Sequence, residues 1–148
     1  MSNPNLVTYE TTCLVRDTCL CLHLQRAARA VARRFDNAFR SFDLTNQQFS
    51  LLMSLNRPEP ASMQSVANLL AMDRTTLTAA LKPLERRGLV TTTIDPNDRR
   101  GRRLILTQTG HDLLAAAMPV WQREHALLDA GFGLNGAERL RDDLRALA

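Results

Sequence analysis

The chain has 148 residues and a formal net charge of +4, with 45% hydrophobic, 23% charged and 5% aromatic residues. Those values describe one folded globular domain with a largely aliphatic core, and they exclude a disordered or low-complexity chain. No run of apolar residues is long enough to predict a membrane span, and the opening "MSNPNLVTYETT" lacks the basic start and apolar run of a signal peptide.

Three cysteines, Cys13, Cys19 and Cys21, are odd in number and lie close together. They do not form a secreted disulfide framework, so a reducing cytoplasm is the expected compartment. The positive charge is localised. Arg74 to Arg103 holds eight basic and three acidic residues, a net +5, which leaves −1 for the rest of the chain. Lys82 is the only lysine. A preference for arginine therefore explains the residue type, but not the clustering.

In chain order, residues 1–9 read as a loose tail. From Thr11 to Phe42 the pattern is helical, with Leu20, Leu24, Ala27, Val31, Phe35, Ala38 and Phe42 on one stripe. That stripe is too long for a small domain to cover and predicts a partner subunit. Thr45 and Gln48 form a capping-box pair ahead of Phe49, Leu52, Met53 and Leu55, and Pro58 and Pro60 stop that helix. Ser62 caps a short helix with Val66, Leu69 and Leu70 inward.

Asp73 is the expected N-cap of the next helix, with Leu77, Leu81 and Leu84 inside and Gly88 as its stop. "LVTTTI", residues 89–94, reads as a strand and "RRLILT" as its antiparallel mate, joined by an arginine-rich loop. A further helix starts at Thr107 or Thr109 and carries Leu113, Leu114, Ala117, Trp121 and Leu128, with a kink expected at Pro119. "GFGLNG" breaks the chain before a last helix with Ala137, Leu140, Leu144 and Leu147 on one stripe.

Two short helices followed by a hairpin with a basic tip form a winged helix-turn-helix. The second helix is the one that enters the DNA major groove. With Leu77 set inward, Thr75, Thr78, Ala79, Lys82 and Arg86 fall outward at about 100° per residue. The small side chains allow close approach to base edges, and thymine methyls can meet Thr75, Thr78 or Ala79. Ser62 and Ser65 are candidates for phosphate contacts. Arg99, Arg100, Arg102 and Arg103 would lie along the backbone or enter a narrow minor groove, held by Ile94 and Leu104–Leu106. Asp98, two residues before Arg100, is expected to orient that guanidinium. Pro83 removes one bond from the recognition helix, to the Ala79 carbonyl, and is expected to bend it near Lys82 and Arg86.

The run from Leu44 to Gly110 resembles a MarR-family transcriptional regulator. The matching pieces are "LTNQQFSLL", "SVANLLAMDRTTLTAALKPLERRGLV" and "DPNDRRGRRLILTQTG". The last matches the family's wing signature at Asp98, Arg100, Leu106, Thr107 and Gly110. The resemblance implies a mainly α fold with a small β-hairpin wing. Helices 11–42 and 108–148 would form a dimerisation domain around a winged helix-turn-helix at 45–107, all within a single chain unit 1–148. It further implies a homodimer on a pseudo-palindromic double-stranded operator, with no cofactor. Repression would be relieved by an aromatic, anionic small molecule or by an oxidant. The DNA-binding residues on this reading are Ser62, Ser65, Arg74, Thr75, Thr76, Thr78, Lys82, Arg86, Asp98, Arg99, Arg100 and Arg102.

"CLCLH", residues 19–23, allows three readings. A metal site from Cys19, Cys21 and His23 fails on geometry, because on one helix Cys21 points about 200° away from Cys19. A redox sensor would use Cys13, Cys19 or Cys21 near a helix start, where a thiolate is favoured. The third reading is that they are small packing residues. His23, His111 and His125 read as structural or surface residues, and Trp121 as dimer core. No phosphate loop or nucleophile elbow suggests an enzyme. A wing that binds protein instead of DNA is the remaining rival.

Overall fold

The computed structural model describes residues 6–148, so the first five residues of the expected tail lie outside it. The elements in chain order are α1 (Tyr9–Thr18), α2 (Leu20–Ala38), a 3-10 turn (Arg40–Phe42), α3 (Asn46–Ser54), β1 (Ala61–Ser62), α4 (Met63–Leu70) and α5 (Arg74–Arg86). They continue with β2 (Val90–Asp95), β3 (Asp98–Leu106), α6 (Gln108–Ala130) and α7 (Gly136–Leu147). The contacts divide the chain into two compact units, one ending at Arg34 and one covering Phe35–Ala148.

The first unit corrects the sequence reading. The expected continuous helix from Thr11 to Phe42 is broken at Cys19, whose backbone is extended. The residues around it are compatible with a helix, so nothing in "DTCLCLH" marks the break. Thr8 caps α1 by accepting the Thr11 N–H, and α1 buries none of its residues. Leu14, Val15 and Leu20 stay exposed.

The second unit holds the core. Capping residues explain where its helices begin. Thr45 and Gln48 form the full capping box of α3. The Ser62, Asp73 and Thr107 side chains accept the third N–H of α4, α5 and α6 respectively. Gly88 adopts φ +69°, the left-handed conformation that ends α5 and turns the chain into β2.

Phe39, Leu51, Leu52, Val66, Leu77, Leu84, Val90 and Leu104 are fully enclosed. Phe39 and Leu51 were absent from the expected core. Phe39 follows the end of α2, where the chain tightens into the 3-10 turn and its ring stacks on Phe49 at 4.7 Å. Met53 and Leu69, expected inside, face outward instead.

The sheet has three strands in the order β1-β3-β2, all antiparallel. β1 is only Ala61–Ser62, which pair with Leu104 and Arg103. The sequence reading missed it because a two-residue strand has no periodicity of its own. β3 begins at Asp98, not near Arg103, so the arginines sit on a strand. Only Pro96 and Asn97 separate β2 from β3. Gly110 lies where a Cβ would come within 2.4 Å of the Leu89 carbonyl oxygen and 2.6 Å of Leu106 Cδ1. Its lack of a side chain lets the first turn of α6 sit against the root of the hairpin.

α6 continues through Pro119 as one helix. In α7 only Ala137 is buried, and Leu140, Leu144 and Leu147 are exposed. Among the described residues no helix is long and apolar enough to cross a membrane.

Candidate nucleic-acid interface

α5 is anchored at both ends. Asp73 accepts the Thr76 N–H at 2.7 Å and the Thr76 hydroxyl at 2.8 Å. These bonds hold the Asp73 carboxyl below its ordinary range, the backbone bond from Thr76 most strongly. At the other end Arg87 donates to the Asp43 and Phe42 carbonyls, so this arginine braces the fold. Glu85 accepts a hydrogen bond from Thr92 and ties the helix to β2. Leu77, Leu81 and Leu84 are buried, while Arg74, Thr75, Thr76, Thr78, Ala79, Lys82 and Arg86 are all exposed. The outward face is the one expected from the helical wheel. α5 also runs through Pro83, and Arg87 N–H bonds the Pro83 carbonyl at 3.1 Å.

The wing is built from paired interactions. Asp95 accepts the Asn97 N–H at 2.9 Å and lies 3.1 Å from Arg103 Nε. The first of these contacts is the main reason its carboxyl is held below the ordinary range, with Arg103 adding to it. Arg103 also donates to the Pro60 carbonyl at 3.2 Å. It therefore joins the turn, the sheet and the segment before β1, which makes it a structural arginine.

The expectation for Asp98 is corrected: its carboxylate accepts the backbone N–H of Arg100 at 2.9 Å, not the guanidinium. It shapes the start of β3 and leaves the Arg100 side chain exposed. Arg99 and Arg102 are exposed too, and Arg102 donates only to the Arg99 and Gly101 carbonyls. Ile94, expected to hold the wing from inside, is exposed. The sheet is held instead by Val90, Leu104 and Leu106.

Ser62 accepts the Ser65 N–H at 3.1 Å, and the Ser65 hydroxyl donates to the Ser62 carbonyl at 2.9 Å. Both are half-buried at the start of α4. Among the described residues Arg74, Lys82, Arg86, Arg99, Arg100 and Arg102 form no ion pair with a carboxylate. Arg141 and Arg145 of α7 differ. Arg141 lies 3.2 Å from Asp129 and 3.0 Å from Glu138, and Arg145 lies 2.5 Å from Asp142.

Two other features bear on function. A pocket of about 350 Å³ is lined by Phe49, Ser50, Met53, Ser54, Leu69, Met118 and Trp121, which accounts for the outward Met53 and Leu69. Trp121 forms one wall and also packs at a tilt against His125, with ring centroids 4.2 Å apart. The break at Cys19 changes the cysteine geometry. Cys19, not Cys13, stands at the start of the long helix α2, where its sulfur accepts the Leu22 N–H at 3.5 Å. His23 Nδ1 lies 2.7 Å from the Cys19 carbonyl, and Cys21 is exposed and accepts from Gln25. No group of three potential metal ligands converges among the described residues.

A helix pair presenting a small, cationic outer face, followed by an arginine-bearing hairpin, defines a winged helix-turn-helix protein. The MarR family sequence profile matches residues 44–101. The transcriptional regulator MosR of M. tuberculosis, solved with DNA, is 34% identical at a TM-score of 0.79, covering 87% of this chain and 92% of that one. The transcriptional repressor CouR of Rhodococcus jostii RHA1, bound to a 23-mer duplex, is 33% identical at a TM-score of 0.69, covering 86% and 88%. The regulator SarZ of Staphylococcus saprophyticus is 28% identical over 94 residues, a stretch that spans 64% of each chain. The chain belongs to the MarR family, and these relatives are transcriptional regulators, not enzymes.

Proposed function

We propose that this protein is a cytoplasmic, sequence-specific transcriptional repressor that binds a pseudo-palindromic operator as a homodimer and is released by a small molecule. The observation that carries the DNA reading is the set of exposed cations on α5 and β3 without carboxylate partners, beside a helix face small enough to enter the major groove. Arg74, Lys82, Arg86, Arg99, Arg100 and Arg102 meet phosphates or the minor groove. Thr75, Thr76 and Thr78 face bases, and Ser62 and Ser65 approach the backbone at the start of α4. Asp98 shapes the wing without touching DNA.

Dimerisation is supported by apolar side chains left in water on the terminal helices, Leu14, Val15 and Leu20 at one end and Leu140, Leu144 and Leu147 at the other. On this reading residues 11–42 and 108–148 form the dimerisation region around the winged segment 45–107. The pocket beside Trp121 is the effector site, within the size range of small-ligand cavities. Its apolar lining suits an aromatic ring. The anionic end expected of the ligand finds no arginine or lysine in that lining.

Fluorescence anisotropy on duplexes tiling the gene's own upstream DNA, at two salt concentrations, tests the proposal. Tight, salt-sensitive binding to one tile supports a specific regulator. Failure on every duplex would favour a protein-binding winged helix.

A second reading, thiol-based sensing, is favoured by the position of Cys19 at the head of α2. DNA release by an organic peroxide, reversed by a thiol reductant and abolished in Cys19→Ser, would establish it. Release unaffected by Cys19→Ser would move the sensing role to Cys13 or Cys21.

A further inference from the structure

Three threonines stand in the first turns of α5, and their hydroxyls are not equivalent. The Thr76 hydroxyl donates to Asp73 at 2.8 Å, and the Thr78 hydroxyl donates to the Arg74 carbonyl at 2.7 Å. A hydroxyl carries one proton, so Thr78 has none left to give to a base. Its Oγ1 is turned back against the preceding turn of the helix. Tetrahedral geometry at Cβ then points the Cγ2 methyl elsewhere, on an exposed position of the outer face. Ala79 is exposed beside it and adds a second methyl. Thr75 differs, since its hydroxyl has no hydrogen-bond partner among the described residues.

We infer that Thr78 and Ala79 form a two-methyl patch that selects an A·T pair in each operator half-site by contact with the C5-methyl of thymine. The inference rests on the proposed DNA binding by α5. In the major groove thymine offers the O4 acceptor and the C5-methyl, and cytosine offers an N4 donor. A side chain whose only proton is committed within the helix gains nothing from O4. Against thymine, which offers O4 and a methyl but no donor in this groove, the Cγ2 methyl is the group Thr78 has left to make contact with. Thr75, with a free hydroxyl, supplies the polar contact next to this patch.

Deoxyuridine pairs like thymidine and lacks only the methyl, so it isolates the contact. On the best operator duplex from the tiling experiment, each thymidine is replaced in turn by deoxyuridine. The wild type should lose about fourfold in affinity at one thymidine per half-site, the factor for one buried methylene. Thr78→Ser keeps the hydroxyl bond to the Arg74 carbonyl and removes the methyl. It should lose affinity on the thymidine duplex by up to about the same factor, and its further loss on deoxyuridine should be smaller than the wild type's, since only the Ala79 methyl remains. Thr78→Val keeps a methyl without the hydroxyl and should retain the sensitivity to deoxyuridine.

Selective binding with no sensitivity at any thymidine overturns the inference alone. So does a Thr78→Ser protein that loses as much affinity on the deoxyuridine duplex as the wild type. No sequence-selective binding to any duplex overturns the DNA-binding reading, and the inference with it.

Discussion

The winged segment and the terminal helices handle apolar surface in opposite ways. Between Leu44 and Gly110 most aliphatic side chains, Leu69 and Ile94 excepted, enclose one another, and Leu51, Leu52, Leu77, Leu84 and Leu104 are removed from water. α1 buries nothing, and α7 buries only Ala137. Leu134 is 89% exposed and Leu20 is 60% exposed. Apolar burial stabilises by about 25 cal/mol per Å² removed from water, so the first region has its stabilisation within one chain. The second has most of its potential gain still unrealised. On the proposed reading the difference divides the work: the winged segment, closed by Phe35, Phe39, Leu114 and Ala117, presents charge, and the terminal helices offer apolar surface to a second copy.

The largest effect is expected from deletion of residues 1–25, which removes α1 and the first turns of α2. Analytical ultracentrifugation should then show monomer or insoluble protein. A well-behaved dimer would mean that the N-terminal exposed leucines have no part in assembly.

Inside the winged segment, Leu77→Ala should cost about 3 kcal/mol in urea unfolding, the usual loss for an enclosed leucine. A cost near zero would show that α5 does not rely on this core. On α7, Leu144→Asp should leave the winged segment folded by circular dichroism. It should weaken the dimer on the order of tenfold or more, as expected for a charge placed in an apolar interface. An unchanged dissociation constant would exclude α7 from the interface.

The smallest expected effect is on pH dependence. His125 packs at a tilt against Phe35, 4.9 Å away, and against Trp121, and burial lowers its pKa; Asp129 opposes that shift and Arg141 adds to it. Because the folded pKa lies below the unfolded one, the unfolded chain binds more protons in the interval between them. Stability therefore falls as pH drops below about 6.5 and levels off below the folded pKa. His125→Phe keeps a ring in the aromatic cluster and should flatten the melting temperature across that window. An unaltered pH profile would place the titration elsewhere.

Much of this architecture is legible in the sequence because caps are local. Thr45, Ser62, Asp73 and Thr107 each declare a helix start through their own side chains, and Gly88 declares an end. The outer face of α5 follows from Leu77, Leu81 and Leu84 alone. The features that were not legible depend on distant partners or on backbone conformation without a residue signature. The break at Cys19 has neither proline nor glycine. β1 exists because Leu104 and Arg103 offer it an edge. Met53 and Leu69 fit a buried stripe by spacing, but they stand around the pocket beside Trp121. At the wing the arginine positions were readable. The division of labour was not: Arg103 is tied to Asp95 and Pro60, and Asp98 is spent on a backbone N–H.

The proposed function turns on the exposed, carboxylate-free arginines of α5 and β3 meeting DNA while the ion-paired Arg141 and Arg145 of α7 do not. Its most direct test is the salt dependence of operator affinity for the wild type, Arg100→Ala and Arg145→Ala. Arg100→Ala should weaken binding and lower the slope of log Kd against log salt by about one. Arg145→Ala, which removes a partner of Asp142, should leave both unchanged. An Arg100→Ala protein with wild-type affinity and slope would contradict the assignment of the wing to DNA.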